Sequence, residues 1–276
     1  MKKRALLIGI NKYRYLKEKG QLKGCVNDVL AIEETLEHQF GFDRNEITVL
    51  KDEAATRDGI ISELKKLAAE CEPNDVIVFH FSGHGSQRLS QIPGKPNGVE
   101  ETIVPCDSGR KKHPNRDISD ENIKAWVSHL AKKTSNITLF FDNCFSGSVV
   151  RHESTEQIRS VEKDDRIYDP SEELNQIDIF SPALENLSKL ADCYSMIAAC
   201  EKSEYAREYT KRIGNDEIRY GAFTYFLVQE LGKFPKPATY DDLFEQLSLR
   251  LTAQYTLQHP QLEGIGNRLL FSGVKK

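Results

Sequence analysis

Short apolar runs alternate with longer stretches of helical periodicity along most of this sequence. The runs predicted to be strands are residues 4–10, 46–52, 75–83, 136–142 and 193–200, with a short strand or hairpin arm at 101–107 and a last strand at 267–273. The segments predicted to be helices are residues 27–41, 56–71, 119–133, 220–232 and 239–255. Continuously apolar strands that alternate with helices are typical of a parallel sheet covered on both faces. The sequence therefore predicts an α/β fold.

Residues 148–192 interrupt this alternation. They are mostly polar, carry charge runs such as "VEKDDR", and offer few strong helix or strand signals. A chain of 276 residues is long enough for one large domain or two small ones. We interpret residues 1–276 as one domain with a long polar insertion at 148–192.

Composition narrows the class of protein. With 39% hydrophobic and 29% charged residues the chain can bury a substantial core, and a net charge of -4 without a strongly basic region argues against nucleic acid as the main partner. The apolar run after "MKKR" is too short for a signal peptide, and no run could span a bilayer, so we expect a cytoplasmic protein without a membrane partner. The six cysteines form no CxxC pair and are expected to be reduced.

Two reactive side chains follow predicted strands at the point where each strand ends. His84 lies just beyond the strand at 75–83, and Cys144 just beyond the strand at 136–142. In open parallel sheets ligands bind at the carboxyl ends of the strands, so imidazole and thiol would face each other if the two strands are neighbours. A base beside a thiol is the arrangement of nucleophilic catalysis. Gly83, Gly85 and Gly147 would let a substrate backbone approach closely.

Other interpretations of these residues stay open. A cysteine at a strand end is usually a small buried hydrophobe, and a histidine among glycines is usually a turn residue. Cys144, His84 and Cys25 could also bind a metal, although structural zinc usually needs four ligands and CxxC pairs are absent. The remaining cysteines, Cys71, Cys106, Cys193 and Cys200, are interpreted as packing residues.

The motifs "SGHGSQ" and "DNCFSGS" resemble the histidine and cysteine motifs of the caspase-like cysteine peptidases, specifically metacaspases, paracaspases and their bacterial relatives. The resemblance extends over nearly the whole chain through "KRALLIGINKY", "LKGCVNDV", "YGAFTYFL" and "HPQLEG" followed by "RLLF". It implies a three-layer α/β/α sandwich with a largely parallel six-stranded sheet. Phe145 stands where metacaspases commonly have histidine, which suggests a bacterial-type or paracaspase-like member.

The resemblance also implies roles for individual residues. Cys144 would attack the scissile carbonyl, His84 would protonate the leaving amine, and the backbone N–H groups of Gly85 and Cys144 would hold the oxyanion. The implied activity is that of a cysteine endopeptidase. The alternative is a catalytically silent caspase-like scaffold that acts through protein contacts, although such a scaffold would have no need of both His84 and Cys144.

Acidic residues near the motifs predict a preference for basic substrates. By resemblance, Asp28 and Asp142 line the pocket for the side chain before the cut, Ser82 and Cys25 form its wall, and Glu204 supplies a further acid. Carboxylates in a partly desolvated slot would bind Arg or Lys of a protein or peptide substrate. The alternatives are that Asp28 is a helix-start acid and that Glu204 is a solvated loop charge.

We expect no cofactor. Calcium activates many metacaspases, but Glu100, Glu101 and Asp107 do not amount to the six or so oxygen ligands that calcium takes, and Arg151 stands where another acid would be needed. The sequence does not identify a regulatory partner.

The insertion is itself a predicted substrate. It carries basic residues beside a site expected to cut after Arg or Lys: Arg151, Arg159, Lys163, Arg166 and Lys189. A tethered segment is held at high effective concentration, so we predict self-cleavage within 148–192. The alternative is a solvated loop that is never cut.

Overall fold

The computed structural model describes residues 1–90, 98–145, 157–168, 191–233 and 238–272. Within these ranges the strands, in chain order, are β1 (Lys3–Gly9), β2 (Ile47–Lys51), β3 (Val76–Ser82), β4 (Gly85–Ser90), β5 (Val99–Ile103), β6 (Ile118–Ser119), β7 (Ile137–Asp142), β8 (Asp164–Tyr168), β9 (Tyr194–Ala198), β10 (Glu208–Ile213), β11 (Asp216–Gly221) and β12 (Gln261–Gly264). The helices are α1 (Cys25–Phe40), α2 (Arg57–Glu70), α3 (Asp120–Ala131), α4 (Ala222–Leu231) and α5 (Tyr240–Gln254).

The central sheet has six strands in the order β12-β9-β7-β3-β1-β2. Neighbouring strands from β9 to β2 are parallel, and β12 pairs antiparallel with β9 at the edge. The prediction of an α/β fold with a largely parallel six-stranded sheet is confirmed.

Alternating strand side chains divide the core into two layers. On one face, Leu6 of β1 and Phe79 of β3 pack in the same cluster as the buried side chains of α2 and α3. On the other face, Leu7 and Val78 join the cluster formed with α1, α4 and α5. Each fully buried leucine contributes about 1.5–3 kcal/mol through loss of apolar surface from water. The result is the three-layer sandwich that the resemblance implied.

Local signals explain where several helices begin and end. Ser119 and Asn122 form a reciprocal capping box at the start of α3, and Thr239 and Asp242 do the same for α5. Gly41 ends α1 in the left-handed conformation with φ 67, which glycine adopts without steric cost.

A smaller sheet, β6-β5-β4-β8, and a two-stranded hairpin, β10-β11, accompany the central sheet. The prediction of a hairpin arm near 101–107 corresponds to β5, which pairs antiparallel with β4. The other strands of these sheets were not predicted from the sequence.

The prediction of a closing strand at 267–273 is wrong. The edge of the sheet is β12, and the segment after it pairs instead with the chain that enters α5, through Tyr240 N to Arg268 O (3.1 Å) and Leu270 N to Ala238 O (2.9 Å). Phe271 has φ 49, which is incompatible with a strand, and packs edge-on against Tyr240. The segment is buried, as its apolar sequence indicates, but its conformation is irregular and not a strand.

Part of the predicted polar insertion has defined structure. Residues 164–168 form β8, which runs parallel to β4, and residues 157–163 lead into it. Positions 148–156 and 169–190 lie outside the described residues. In the described part of the chain, no helix combines the length and apolar character needed to cross a membrane.

Candidate active site

The two motifs meet at the carboxyl edge of the central sheet. β3 and β7 are adjacent and in register, with Ser82 opposite Asp142, so the residues that follow them leave the sheet side by side. A Cβ atom placed on Gly85 would lie 2.0 Å from the carbonyl oxygen of Cys144. Only glycine fits this contact, which explains the Gly after His84 by sterics.

His84 is buried, with its ring held on both sides. Its Nε2 lies 2.8 Å from the carbonyl oxygen of Gly20, and the ring packs against Tyr13 with centroids 4.7 Å apart. Nε2 therefore carries the proton, and Nδ1, which has no hydrogen-bond partner among the described residues, keeps its lone pair. Burial lowers the pKa of His84 to about 4, although the bond to Gly20 opposes this shift. The imidazole is thus neutral at neutral pH and fixed in one tautomer.

Cys144 is buried beside the chain at Ala206. The Ala206 N–H donates to Cys144 Sγ at 2.6 Å. Cys200 contacts the same thiol, and a hydrogen bond with Cys144 together with burial raises the pKa of Cys200 well above its ordinary value. All six cysteines are free thiols, and Cys71, Cys106 and Cys200 are buried as packing residues while Cys193 is half-buried.

A segment of the chain itself runs through this site. The carbonyl oxygen of Arg159 accepts hydrogen bonds from the backbone N–H groups of Gly85 and Cys144, each at 3.1 Å. On one side, Arg159 N donates to Ala206 O (3.0 Å), and Glu208 N donates to Gln157 O (3.2 Å). Residues 157–159 therefore pair with 206–208 as an added antiparallel strand, which is a common mode of peptide recognition.

The Arg159 side chain fills a pocket lined by acids. Its guanidinium lies 2.8 Å from Asp28 Oδ2, 3.2 Å from Asp142 Oδ2 and 3.7 Å from Glu208 Oε1. It also donates to Ser82 Oγ at 2.7 Å, and that hydroxyl in turn donates to Asp28 at 2.6 Å. These side chains are almost completely buried.

The charges in the pocket are strongly perturbed. Burial raises the pKa of Asp28 to about 6; Arg159 opposes this rise and Asp142 adds to it. Burial alone would lower the pKa of Arg159, but the carboxylates of Asp142, Asp28 and Glu208 raise it well above its ordinary value. Burial raises the pKa of Cys25, which keeps this wall residue a neutral thiol. The pocket is therefore suited to a permanent cation.

Glu204 is not the third acid against Arg159. Its carboxylate accepts hydrogen bonds from His259 N (2.7 Å) and Glu201 N (3.3 Å) and pairs with His259 Nδ1. The acid that approaches the guanidinium is Glu208, at the start of β10, held by Lys23 N (2.9 Å) and Gly24 N (2.6 Å). Glu208 was not predicted from the sequence, because Glu204 and Glu208 stand in one polar stretch.

Gly221 and Thr224 complete the pocket and were also missed. Gly221 N donates to Asp28 Oδ1 at 2.8 Å, and Thr224 donates to Asp142 Oδ2 through its N–H (3.0 Å) and hydroxyl (2.7 Å). A Cβ atom on Gly221 would lie 2.1 Å from Asp142 Oδ2 and 2.4 Å from the Arg159 guanidinium. The sequence feature that could have identified these two residues is the "YGAFT" stretch, in which a glycine precedes the start of a predicted helix.

The acids considered for calcium have other partners. Glu100 pairs with Arg88 at 2.7 Å, Asp107 with Arg116 at 2.9 Å, and Glu101 with Lys202 at 2.8 Å. Across the described ranges, no three His, Cys, Asp or Glu side chains gather in a group that could hold a metal ion. Arg151 lies outside the described residues.

These contacts and the six-stranded sandwich define a caspase-like α/β domain with histidine and cysteine at the ends of adjacent parallel strands. The sequence profile of the metacaspase, peptidase C14 domain matches residues 3–153, more than half of the chain. The chain therefore belongs to the metacaspase family, and the resemblance seen in the sequence is confirmed.

Two curated relatives agree with this assignment, and a solved structure shares the fold. The chain is 32% identical over 155 residues to metacaspase-1 of Schizosaccharomyces pombe, covering 54% of this chain and 35% of the relative. It is 36% identical over 155 residues to metacaspase-1A of Aspergillus terreus, covering 54% and 37%. The match thus spans little more than a third of the curated relatives. A crystal structure of a Geobacter sulfurreducens protein shares the fold, with a TM-score of 0.67, 20% identity, and coverage of 100% of this chain and 98% of that one.

Proposed function

We propose that the chain is a cysteine endopeptidase that cleaves peptide bonds after Arg or Lys. The observation that carries this proposal is the position of Arg159, whose carbonyl oxygen accepts from Gly85 N and Cys144 N while its guanidinium lies among Asp28, Asp142 and Glu208. This is how a substrate residue is held before attack, with two N–H donors aimed at the oxygen that becomes negative.

The chemistry follows from the two side chains. The Cys144 thiol, which contacts Ala206 in this structure and makes no hydrogen bond to His84 Nδ1, turns toward the imidazole, gives its proton to Nδ1, and attacks the substrate carbonyl carbon as the thiolate. The N–H groups of Gly85 and Cys144 stabilise the developing oxyanion, and the imidazolium then protonates the leaving amine. Water hydrolyses the resulting thioester and frees the enzyme. The Gly20 carbonyl fixes the imidazole tautomer and is a positioning group.

We further propose that the chain cuts itself after Arg159. Of the basic residues in the predicted insertion, Arg159 occupies the acidic pocket, whereas the Arg166 side chain is half-exposed and pairs with Asp164. Lys163 faces Asp165 at 3.9 Å. The candidates Arg151 and Lys189 lie outside the described residues.

The test uses the Arg159→Ser variant, whose pocket is not filled by its own side chain. Fluorogenic peptides with Arg, Lys or Asp before the cut are offered to this variant and to Arg159→Ser/Cys144→Ala, with calcium and with a chelator. We expect hydrolysis of the Arg and Lys peptides only, loss of turnover without Cys144, and labelling of Cys144 by an arginyl chloromethyl ketone. A chain with neither hydrolysis nor labelling would be the silent scaffold, and preference for Asp would exclude this pocket.

A further inference from the structure

The chain is held on both sides of the Arg159–Ser160 bond. Before the bond, Arg159 is fixed by its ion pairs and by the pairing of 157–159 with 206–208. After the bond, Val161 N donates to Gly85 O at 3.1 Å. The carbonyl of Glu162 accepts from Ser86 Oγ (3.0 Å) and Arg110 Nε (2.9 Å).

Beyond these contacts the chain becomes part of the smaller sheet. β8 pairs with β4 through Leu89 opposite Ile167 and Ser90 opposite Tyr168. The Asp164 carboxylate is buried and accepts from Asn115 Nδ2 (2.8 Å) and Arg166 Nε (2.8 Å). None of these contacts depends on the Arg159–Ser160 bond being intact.

In an ordinary proteolytic cut, the product after the bond diffuses away and water replaces it. Here the new amine at Ser160 would stay beside the thioester, because β8 is anchored in the smaller sheet. We propose that this site reseals the Arg159–Ser160 bond as well as cutting it, so that the chain is a peptide ligase toward itself and its cut form remains occupied by its own ends. This inference rests on the proposed function.

The step balances without any further reactant. In the forward direction Cys144 Sγ bonds to the Arg159 carbonyl carbon, the C–N bond breaks, and the Ser160 nitrogen leaves as an amine with the proton from His84. In the reverse direction the Ser160 amine attacks the thioester carbon, the C–S bond breaks, and the proton lost by the amine returns through His84 to the thiol. Hydrolysis competes by adding one water, which gives the Arg159 carboxylate and the Ser160 amine, and the same path run backwards releases that water.

Retention of the Ser160 amine determines whether the amine or water attacks the thioester. A tethered group reaches millimolar effective concentration through a flexible link and far more when its geometry is fixed. Cutting also gains little chain entropy when both ends stay bound, so the uncut and cut forms are closer in free energy than for a free peptide.

The first experiment measures exchange in water enriched in oxygen-18. Hydrolysis places the heavy oxygen in the Arg159 carboxylate, and resealing returns it to the Arg159 carbonyl of the uncut chain. We expect the uncut peptide that contains residues 159 and 160 to become heavier in wild type and not in Cys144→Ala, and purified cut chain to regain the intact mass in part. A wild type whose uncut chain carries no heavy oxygen at any time point while cutting proceeds, and whose purified cut chain never regains the intact mass, would overturn the inference.

The second experiment weakens the anchor. Asp164→Ala removes the buried carboxylate of β8, and Asp165→Ala, whose side chain on the same strand is exposed, is the matched control. Because hydrogen bonds to a charged group are stronger than those between neutral groups, we expect the cut-to-uncut ratio to rise about tenfold or more in Asp164→Ala and to stay unchanged in the control. Asn115→Ala removes one donor to the same carboxylate and covers the case in which Asp164→Ala fails to fold.

Equal ratios in Asp164→Ala, Asn115→Ala and Asp165→Ala would contradict a role for the anchor and overturn the inference. Hydrolysis of arginyl peptides by Arg159→Ser, measured in parallel, separates this result from failure of the proposed function. If those peptides are also untouched, the proposed function fails and the ligase step fails with it.

Discussion

Arg159 and Asp28 are 131 positions apart in the sequence, yet guanidinium and carboxylate lie 2.8 Å apart with both side chains fully buried. Removing two charges from water is costly, and close pairing only offsets that cost. Asp142 and Glu208 add two more carboxylates to the same guanidinium. A pocket with this excess of acid favours occupation by a cation, so we expect another Arg or Lys side chain to replace Arg159 when it leaves.

The first prediction concerns Arg159 itself. Arg159→Ala should abolish the cut at this position, and Arg159→Lys should keep it, because an ammonium group also satisfies the acids. Losing one partner of a buried pair costs about 3–5 kcal/mol, so in a Cys144→Ala background Arg159→Ala should also lower the melting temperature. Intact masses and thermal unfolding measure both effects.

Arg166→Ala is the control for this prediction, since it removes a basic residue of the same segment that pairs with Asp164 outside the pocket. It should keep the cut after Arg159. A cut that persists in Arg159→Ala at the same bond would show that the buried guanidinium does not direct cleavage.

The second prediction distinguishes two nearby acids. In the Arg159→Ser background, Glu208→Gln should lower kcat/KM for arginyl peptides about tenfold, and Asp28→Asn should lower it further, because each removes a carboxylate that faces the substrate cation. Glutamine can still accept from Lys23 N and Gly24 N, so the fold is kept. Glu204→Gln, beside His259, is the control and should leave kcat/KM unchanged. A larger loss in Glu204→Gln would reverse this assignment.

The sheet and the placement of His84 and Cys144 were predictable because they follow from local signals. Continuous apolar runs predict buried parallel strands, and the carboxyl ends of such strands meet at one edge. Asp28 and Asp142 follow from that edge in the same way, although naming them as pocket residues relied on resemblance.

The occupant of the pocket was not predictable to a single residue. Arg159 was one of five basic residues in a polar stretch, and its selection depends on the pairing of Ile158 with Arg207, a long-range contact without local periodicity. The choice of Glu208 over Glu204 depends on the same pairing. The β10-β11 hairpin is mostly polar and solvent-facing, so it lacks the alternation that marks a half-buried strand.

The third prediction concerns acid. Burial lowers the pKa of His84 to about 4 from its ordinary value of 6.5, so between these pH values the unfolded chain binds a proton that the folded chain does not. Stability from neutral His84 is therefore present at neutral pH and lost as pH falls through this window. The comparison is between Cys144→Ala and Cys144→Ala/His84→Gln. From pH ~7 to pH ~4, the unfolding free energy of Cys144→Ala should fall by on the order of 3 kcal/mol more than that of the double variant.

Urea unfolding followed by the fluorescence of Trp126, which is buried and the chain's one tryptophan, measures this difference. Asp28 and His80 also titrate with shifted pKa values, but they are present in both variants and cancel in the comparison. If the unfolding free energies of the two variants change in parallel with pH across this range, the folded chain protonates His84 as readily as the unfolded chain does.

The fourth prediction tests the shape of the pocket apart from its charge. A methyl group on Gly221 would lie 2.1 Å from Asp142 Oδ2 and 2.4 Å from the Arg159 guanidinium, so Gly221→Ala should leave no room for an arginine side chain. We expect no cut after Arg159, and in the Arg159→Ser background a loss of about a hundredfold or more in arginyl kcat/KM, as misplacing a substrate by an ångström costs this much. Reaction of Cys144 with iodoacetamide should persist, because Gly221 lies on the pocket wall and leaves the thiol in place.

Gly232→Ala is the control, since its nearest neighbour would be 3.5 Å away and its backbone has φ -72. Peptide mapping measures the cut after Arg159, and steady-state rates measure turnover of arginyl peptides by the two variants. Arginyl turnover in Gly221→Ala equal to that in Gly232→Ala would mean that the substrate side chain binds elsewhere.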